Sequence, residues 1–416
     1  MKMYTTPDKA SRWEDINFKM AEQKVKKLQK RIAVAFGNDD FDKVALLQNM
    51  IIHSFYAKAL AVKIVTSNRG RYTAGIDNVV WITPEEKFDA IYNLSRRGYK
   101  AMPLKRIFIP KSNGDMRPLS IPTMKDRAMQ TLYKFVLEPI AEFTGDMDSY
   151  GFRLNRSAKD AVVRYIDILL NFPYLKWVMK TDIKSCFDNI SHEWVMKHIP
   201  MDKEILLKFL KCGYMSHSVY HPTEKGVPQG GSISNVICNM VLDGLEICLD
   251  DHFGSSLYMI RYADDIVIVA DSQKILVQSV VAVIEHFLLE RGLQLSQEKT
   301  MVSHVENGII FLGFEIYREN KVVVCVPARK SVTSLMSKVD CILSAVSKVY
   351  FDKIPDEILW KLCNSLKLVI RGWLNYYADI VTTQSLRDVK YELVSQVNKS
   401  TGDNRIAEFI KKLFKK

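Results

Sequence analysis

Apolar residues recur at three- and four-residue intervals from Trp13 to Val65, through Val25, Leu28, Ile32 and Ala35 and again through Val44, Leu47 and Ile51. This spacing predicts two amphipathic helices with a break at Gly37, Asn38 and Asp39. Helical spacing returns over Trp81–Arg97, Lys125–Phe143 and Ala158–Leu170. Between them, Arg106–Ile109 is short and apolar, and Asn113-Gly114 turns it back into Met116–Pro122, which predicts a hairpin. Tyr174–Ile183 reads as a strand ending near Asp182, and two β-rich runs flank the tip Ala263-Asp264-Asp265. Strands and helices alternate irregularly to about residue 326, and after Pro327 helix-forming stretches follow at Ser331–Val349, Pro355–Tyr377 and Ser385–Val397. The order predicts an α+β fold rather than regular βαβ winding, with a helical N-terminal extension over 1–80, a mixed core over 81–326 and a helical region over 327–416. No internal repeat or low-complexity tract interrupts it.

Composition narrows the partners. Of 416 residues, 48% are hydrophobic and 25% charged, as in an ordinary globular chain, which excludes wholesale disorder and fibrous repeats. Fifty-nine Lys and Arg against 47 Asp and Glu leave a net charge of +12, which points to a polyanion, with nucleic acid the leading candidate. Lys19, Lys24, Lys26, Lys27, Lys30 and Arg31 face a lone Glu22 on the first helix, although a solvated helix face would look the same. Arg96 to Lys111 is likewise basic without an acidic residue, as an edge hairpin guarded by lysine would also be. The longest uncharged run, Gly226–Leu242, is broken by Pro228, Gln229, Gly230, Gly231 and Asn235, so no membrane span is expected. Met1–Ile16 has no apolar stretch of a signal peptide, and a cytoplasmic location with no membrane partner is expected. Seven scattered cysteines without a Cys-x-x-Cys pair read as buried, reduced thiols.

The chemistry concentrates at Asp264-Asp265. Two adjacent anions on an apolar hairpin repel each other unless a cation neutralises them, and hard divalent ions prefer such oxygen donors. On the dipeptide alone, a plain turn is the stronger reading, since Asp favours turns. Asp182 at a second strand end changes this: beside the hairpin it would complete a cluster for two metals about 3.5–4 Å apart, suited to in-line nucleotidyl transfer. Lys225–Ser234 adds a glycine-rich turn where backbone can approach a nucleotide closely.

Together and in this order, these segments resemble the palm of reverse transcriptases, most closely the group II intron type and its bacterial relatives. The resemblance runs from about Trp13 to Tyr377, through Leu28–Ile32, Thr73–Asp77, Ile109–Lys111, Arg117–Leu119 and Asp126-Arg127, then Gly226–Gly230, Phe311–Phe314 and Gly372–Tyr377. It implies a right-hand polymerase of fingers, palm and thumb. By resemblance, Asp182, Asp264 and Asp265 with the carbonyl of Ile183 hold two Mg²⁺ ions, and Lys111 and Arg117 hold the triphosphate of a dNTP. Phe187 matches the aromatic under the sugar that excludes a 2′-hydroxyl, with a plain core aromatic as the competing reading. Gln229 matches a contact near nucleotide and template, or is structural. Lys299 is a candidate proton donor to pyrophosphate, or a surface lysine. Phe311, Leu312 and Gly313 match the primer grip, although a core strand would look alike. The helices after Pro327 match a thumb following the RNA–DNA duplex. The basic amphipathic segment Arg405–Lys416 has membrane-surface binding as its competing reading.

The chain also departs from intron-encoded relatives. No histidine follows His304, so an appended His- and Cys-bearing nuclease is not expected, and Asp379–Asp403 is mixed in charge where an arginine-rich stretch is usual. Asn235 stands where intron enzymes usually carry proline, and Ser or Asn is expected to cap the helix that starts there. The resulting expectation is an RNA-directed DNA polymerase copying a structured noncoding RNA into cDNA in bacterial antiphage defence. The alternatives are an intron maturase and mobility enzyme, or an RNA-binding splicing factor with a vestigial site. The sequence leaves the template, the primer and the oligomeric state open.

Overall fold

The computed structural model describes residues 10–110, 114, 116–347 and 354–414. The N-terminal helices are α1 (Phe18–Gly37), α2 (Phe41–His53), α3 (Phe55–Ser67) and α4 (Pro84–Asn93). The hairpin β1 (Leu104–Pro110) and β2 (Met116–Ile121) follows, then α5 (Met124–Thr144), α6 (Ala158–Asn171) and β3 (Trp177–Asp182). Short elements come next: α7 (Cys186–Asn189), α8 (His192–His198), α9 (Lys203–Leu210), β4 (Tyr214–Ser216), β5 (Val219–His221), α10 (Ser234–Leu242) and α11 (Leu245–Phe253). After them run β6 (Leu257–Tyr262), β7 (Asp265–Ala270), α12 (Val281–Leu289), β8 (Met301–His304), β9 (Ile309–Phe311), β10 (Phe314–Glu319) and β11 (Val322–Pro327). Four helices close the chain: α13 (Arg329–Ser347), α14 (Asp356–Tyr377), α15 (Thr383–Thr401) and α16 (Asn404–Leu413). The mixture is the α+β class expected from the sequence.

Two compact units divide these elements, and neither is continuous in sequence. One comprises Met1–Asn155, Asp182–His252 and Val281–Glu298, the other Arg156–Thr181, Phe253–Val280 and Lys299–Lys416.

The first unit is built around α5. Thr123 caps it by accepting from the Asp126 N–H at 3.1 Å, and α1, α2 and α3 pack against it. Where apolar spacing predicts two helices up to Val65, three form. Ser54 ends α2, and its side chain accepts from the Ala57 N–H to start α3. The apolar period runs across this break because α2 and α3 bury residues on both sides of it. Asp126 is buried and accepts from the Tyr99 hydroxyl at 2.6 Å and the Thr123 hydroxyl at 2.7 Å. Burial raises its pKa against the pull of those donors. Arg127 donates to the carbonyls of Pro122, Gly70 and Thr73, which ties the loop after α3 to the start of α5. A four-stranded sheet ordered β2-β1-β4-β5 carries the basic hairpin, with Ile109 opposite Arg117.

In the second unit, one sheet is ordered β6-β7-β3-β8 and another β11-β10-β9. Ile266 to Ala270 of β7 are all fully buried, so this strand reads as a continuous apolar run rather than an alternating one. Arg318 on β10 donates to the carbonyls of Leu169, Pro173 and Leu175 and thereby staples the end of α6. Helices α13 to α16 share one core of Val339, Leu343, Leu366, Ile370, Leu393, Val397 and Ile410. Ile406, Ala407 and Ile410 spend the apolar face of α16 inside that core, so the face that a membrane surface would need is occupied. Among the described residues no helix is long and apolar enough to cross a membrane.

Candidate active site

The hairpin β6–β7 closes with Tyr262 opposite Asp265, leaving Ala263 and Asp264 as its turn. Ala263 has φ +57°, a left-handed conformation that tight hairpins need and that an alanine holds at a cost of about 1–2 kcal/mol. The guanidinium of fully buried Arg261 donates to the Ala263 carbonyl at 3.4 Å, which supports the strained residue from beneath. The buried strand behind the turn lifts Asp264 and Asp265 to its wet end. β3 lies next to β7, with the Lys176 N–H donating to the Ala270 carbonyl at 3.0 Å. At the other end of the pair, Lys180 Nζ stands 3.4 Å from Asp265 Oδ2. The two strands are therefore antiparallel within the second unit.

From Asp182 to His252 the chain belongs to the first unit. Ser296 N–H donates to the Asp182 carbonyl at 2.8 Å and Lys184 N–H to the Gln294 carbonyl at 2.9 Å, on either side of an antiparallel bridge between Ile183 and Leu295. In that arrangement Ile183 is the non-hydrogen-bonded member, so its carbonyl takes no part in the bridge. Ser185, at φ +46°, then turns the chain into α7, where Phe187 is half-buried. Lys299 is exposed at the end of the turn Gln297–Lys299 in the second unit.

The glycine-rich loop is tied to α7 and the residue after it by backbone bonds. Val227 N–H donates to the Phe187 carbonyl at 2.6 Å and Gly226 N–H to the Ile190 carbonyl at 2.8 Å. Gly226 has φ +86°, and a Cβ there would stand 2.7 Å from the Asp188 carbonyl oxygen, so only glycine fits. His192 is buried with Nε2 2.8 Å from the Gly226 carbonyl, a contact that casts it as the donor, and burial lowers its pKa. Further on, Gln229 Nε2 donates to Asp188 Oδ2 at 3.2 Å while its carbonyl accepts from the Ser120 N–H of β2 at 2.8 Å. Three sequence candidates are thus drawn onto one stretch of the first unit: Phe187, Gln229, and Arg117, exposed three residues before Ser120 on the same strand. Lys111 lies outside the described residues. The helix after the loop does not start with the expected Ser or Asn cap: Ile233 holds that position without a side-chain cap. The loop end is instead held by Gln130, whose Oε1 accepts from the Ser232 N–H at 2.9 Å.

Phe311, Leu312 and Gly313 form the turn from β9 to β10 in the second unit. Phe311 is fully buried, edge-on to Tyr165, while Leu312 and Gly313 are half-exposed with φ +50° and +86°. The Tyr376 hydroxyl donates to the Leu312 carbonyl at 2.9 Å and the Tyr377 hydroxyl to the Gly313 carbonyl at 3.3 Å. Burial pushes the Tyr376 hydroxyl up to about 12, so it stays a donor throughout the physiological range.

Sequence reasoning missed Lys180, His192 and Gln130, and passed over the hydroxyls of Tyr376 and Tyr377. For Lys180 a signal existed: residues two apart on a strand share a face, so Lys180 points the same way as Asp182. The candidate donors for a metal are carboxylates and one carbonyl, all hard oxygen, which suits Mg²⁺ better than a soft metal. An ammonium already drawn to Asp265 shows that the hairpin end attracts positive charge. Among the described residues, no three His, Cys, Asp or Glu side chains gather into a ready-made metal cluster.

The family described as "Reverse transcriptase (RNA-dependent DNA polymerase)" matches residues 109–316, half of the chain, and that described as "N-terminal domain of reverse transcriptase" matches residues 13–94. The chain belongs to the reverse transcriptase family. Its class of activity is RNA-directed DNA polymerisation, and its fold is that of the right-hand polymerases. It is 28% identical over 375 residues to "Protein YkfC" of Escherichia coli, covering 76% of this chain and 97% of that one. It is 36% identical over 189 residues to "Group II intron-encoded protein LtrA" of Lactococcus lactis subsp. cremoris, covering 43% of this chain and 31% of the relative. A "Putative COX1/OXI3 intron 2 protein" of Saccharomyces cerevisiae is 26% identical over 62% of this chain and 37% of the relative. The chain thus spans about a third of the length of each of these two intron-encoded relatives. Among solved structures, apo telomerase from Candida tropicalis is similar over 77% of this chain and 65% of that chain, with a TM-score of 0.44 and 14% identity.

Proposed function

We propose that this reverse transcriptase copies a structured noncoding RNA into cDNA by two-metal nucleotidyl transfer, in bacterial antiphage defence. The observation that carries the chemistry is the turn at strained Ala263, which raises Asp264 and Asp265 at the end of a fully buried strand. In this reading Asp182, Asp264, Asp265 and the Ile183 carbonyl would hold two Mg²⁺ ions, which when bound supply activation of the primer 3′-hydroxyl and charge stabilisation of the leaving pyrophosphate. Arg117 and Lys111 would neutralise the triphosphate, the fork of Arg117 suiting two phosphate oxygens at once. Phe187 would sit under the sugar and Gln229 beside the base pair, both positioned by the backbone bonds that tie the glycine loop to α7 and β2. Lys299 would hand a proton to pyrophosphate. The turn Phe311–Gly313 would seat the primer end, and residues 327–416 would form the thumb along the RNA–DNA duplex, with 1–80 contacting the template RNA.

The test is primer extension on an RNA template with dNTPs and Mg²⁺, comparing wild type with the double variant Asp264→Asn/Asp265→Asn. Loss of three or more orders of magnitude in rate with unchanged unfolding midpoint is expected, because removing both charges removes metal affinity. Polymerisation by the variant would overturn the site. For the role, the protein is purified from its native host and the accompanying nucleic acid sequenced. One short noncoding RNA, with complementary DNA only in the wild type, supports the defence reading; intron RNA would replace it with the maturase reading.

A further inference from the structure

Lys180 makes two contacts that no ordinary surface lysine needs. Its Nζ lies 3.4 Å from Asp265 Oδ2 on β7 and donates to the Ile310 carbonyl of β9 at 2.7 Å. Its side chain is about a quarter exposed, so the ammonium is partly withdrawn from water and less screened than a solvated one. Ile310 is one residue before Phe311, so a single side chain bridges the hairpin carboxylate and the strand that enters the Leu312-Gly313 turn. That turn is held on its other side by the hydroxyls of Tyr376 and Tyr377.

We propose that Lys180 is a positioning residue with two opposed effects: it competes with the divalent ion for the Asp265 carboxylate, and it anchors β9 so that the Phe311–Gly313 turn is in place for the primer end. The inference deepens the proposed function and rests on its assignment of Asp265 and of that turn. A compact ammonium suits the task, since it supplies several donors from one point charge and can rotate from carboxylate to carbonyl without leaving its place. When a divalent ion is bound to Asp265, the Lys180 ammonium keeps the Ile310 carbonyl as its remaining partner. The carboxylate and the primer-end turn are thereby linked through one side chain.

The two effects have opposite signs in one variant, which separates positioning from a general structural role. In full-length Lys180→Met, the competing charge and the anchor are both gone. Mn²⁺ binding without nucleic acid, followed by its electron paramagnetic resonance signal, is expected to tighten about three- to tenfold. The KM for primer terminus is expected to rise about tenfold, with kcat changing less. Lys180→Arg retains the charge and a donor, and should return Mn²⁺ affinity to the wild-type value. Unchanged or weakened Mn²⁺ binding in Lys180→Met, or tightened Mn²⁺ binding with an unchanged primer KM, would overturn the proposal. Asp265→Asn distinguishes the levels. If it abolishes polymerisation while Lys180→Met binds Mn²⁺ like wild type, only the role of Lys180 falls. If Asp265→Asn polymerises and binds Mn²⁺ normally, the site assignment falls and takes this inference with it.

Discussion

Glu246 carries a carboxyl whose pKa is pushed up to about 7, chiefly by burial and further by Asp148, Asp146 and Asp250, against the pull of the Asp148 N–H that it accepts at 2.9 Å. The folded protein therefore binds this proton more tightly than the unfolded chain. Its contribution to stability is full below the ordinary carboxylate pKa and is lost as pH rises through about 7. Glu246→Gln, neutral at every pH, should gain on the wild type by on the order of 1–2 kcal/mol between pH 5 and pH 8, after allowance for screening by water. Urea unfolding midpoints at the two pH values check this, and parallel behaviour of the two proteins would refute it. Buried His192 works in the opposite sense. Its pKa is lowered chiefly by burial, so its contribution to stability is full above the ordinary histidine pKa and is lost as pH falls and the buried ring must take up charge.

The glycine loop and α7 behave as one element, because backbone bonds join them and the backbone approaches too closely at Gly226 for a side chain there. Gly226→Ala should destabilise the protein by about 1–3 kcal/mol, since the new Cβ meets the Asp188 carbonyl and the residue is held at positive φ. The same change should raise the KM for dNTP severalfold by displacing Phe187 and Gln229; an unchanged KM in steady-state kinetics would separate the loop from nucleotide binding. Elements of this kind mark what a sequence can and cannot disclose. The hairpin carrying Asp264 and Asp265 was legible because two β-rich runs and a polar tip are local information. The expected strand Tyr174–Ile183 shortened to Trp177–Asp182, and its end falls at Asp182 as expected. Gln130 and His192 were not legible, because each acts on a loop residue distant in sequence, by 102 positions from Gln130 to Ser232 and 34 from His192 to Gly226. The break at Ser54 was hidden by an apolar period that runs across it.

Over the whole molecule, each compact unit is assembled from three separate stretches of chain. The order in which a ribosome delivers them then matters. Arg156–Thr181, which brings α6 and most of β3, emerges early, but its unit finishes only with the last residues of the chain. At about 5–20 residues per second, the stretch from Lys299 to Lys416 takes roughly 6–24 s to appear, during which apolar segments such as Ile266–Ala270 have no complete core to enter. A chain stopped at Glu298 should therefore accumulate in aggregates and bind a hydrophobic dye, whereas a soluble, dye-negative product would show that the early stretches shelter without the rest. Full-length synthesis leaves a window in which a nascent-chain chaperone that covers apolar β-strand would raise the yield of folded enzyme.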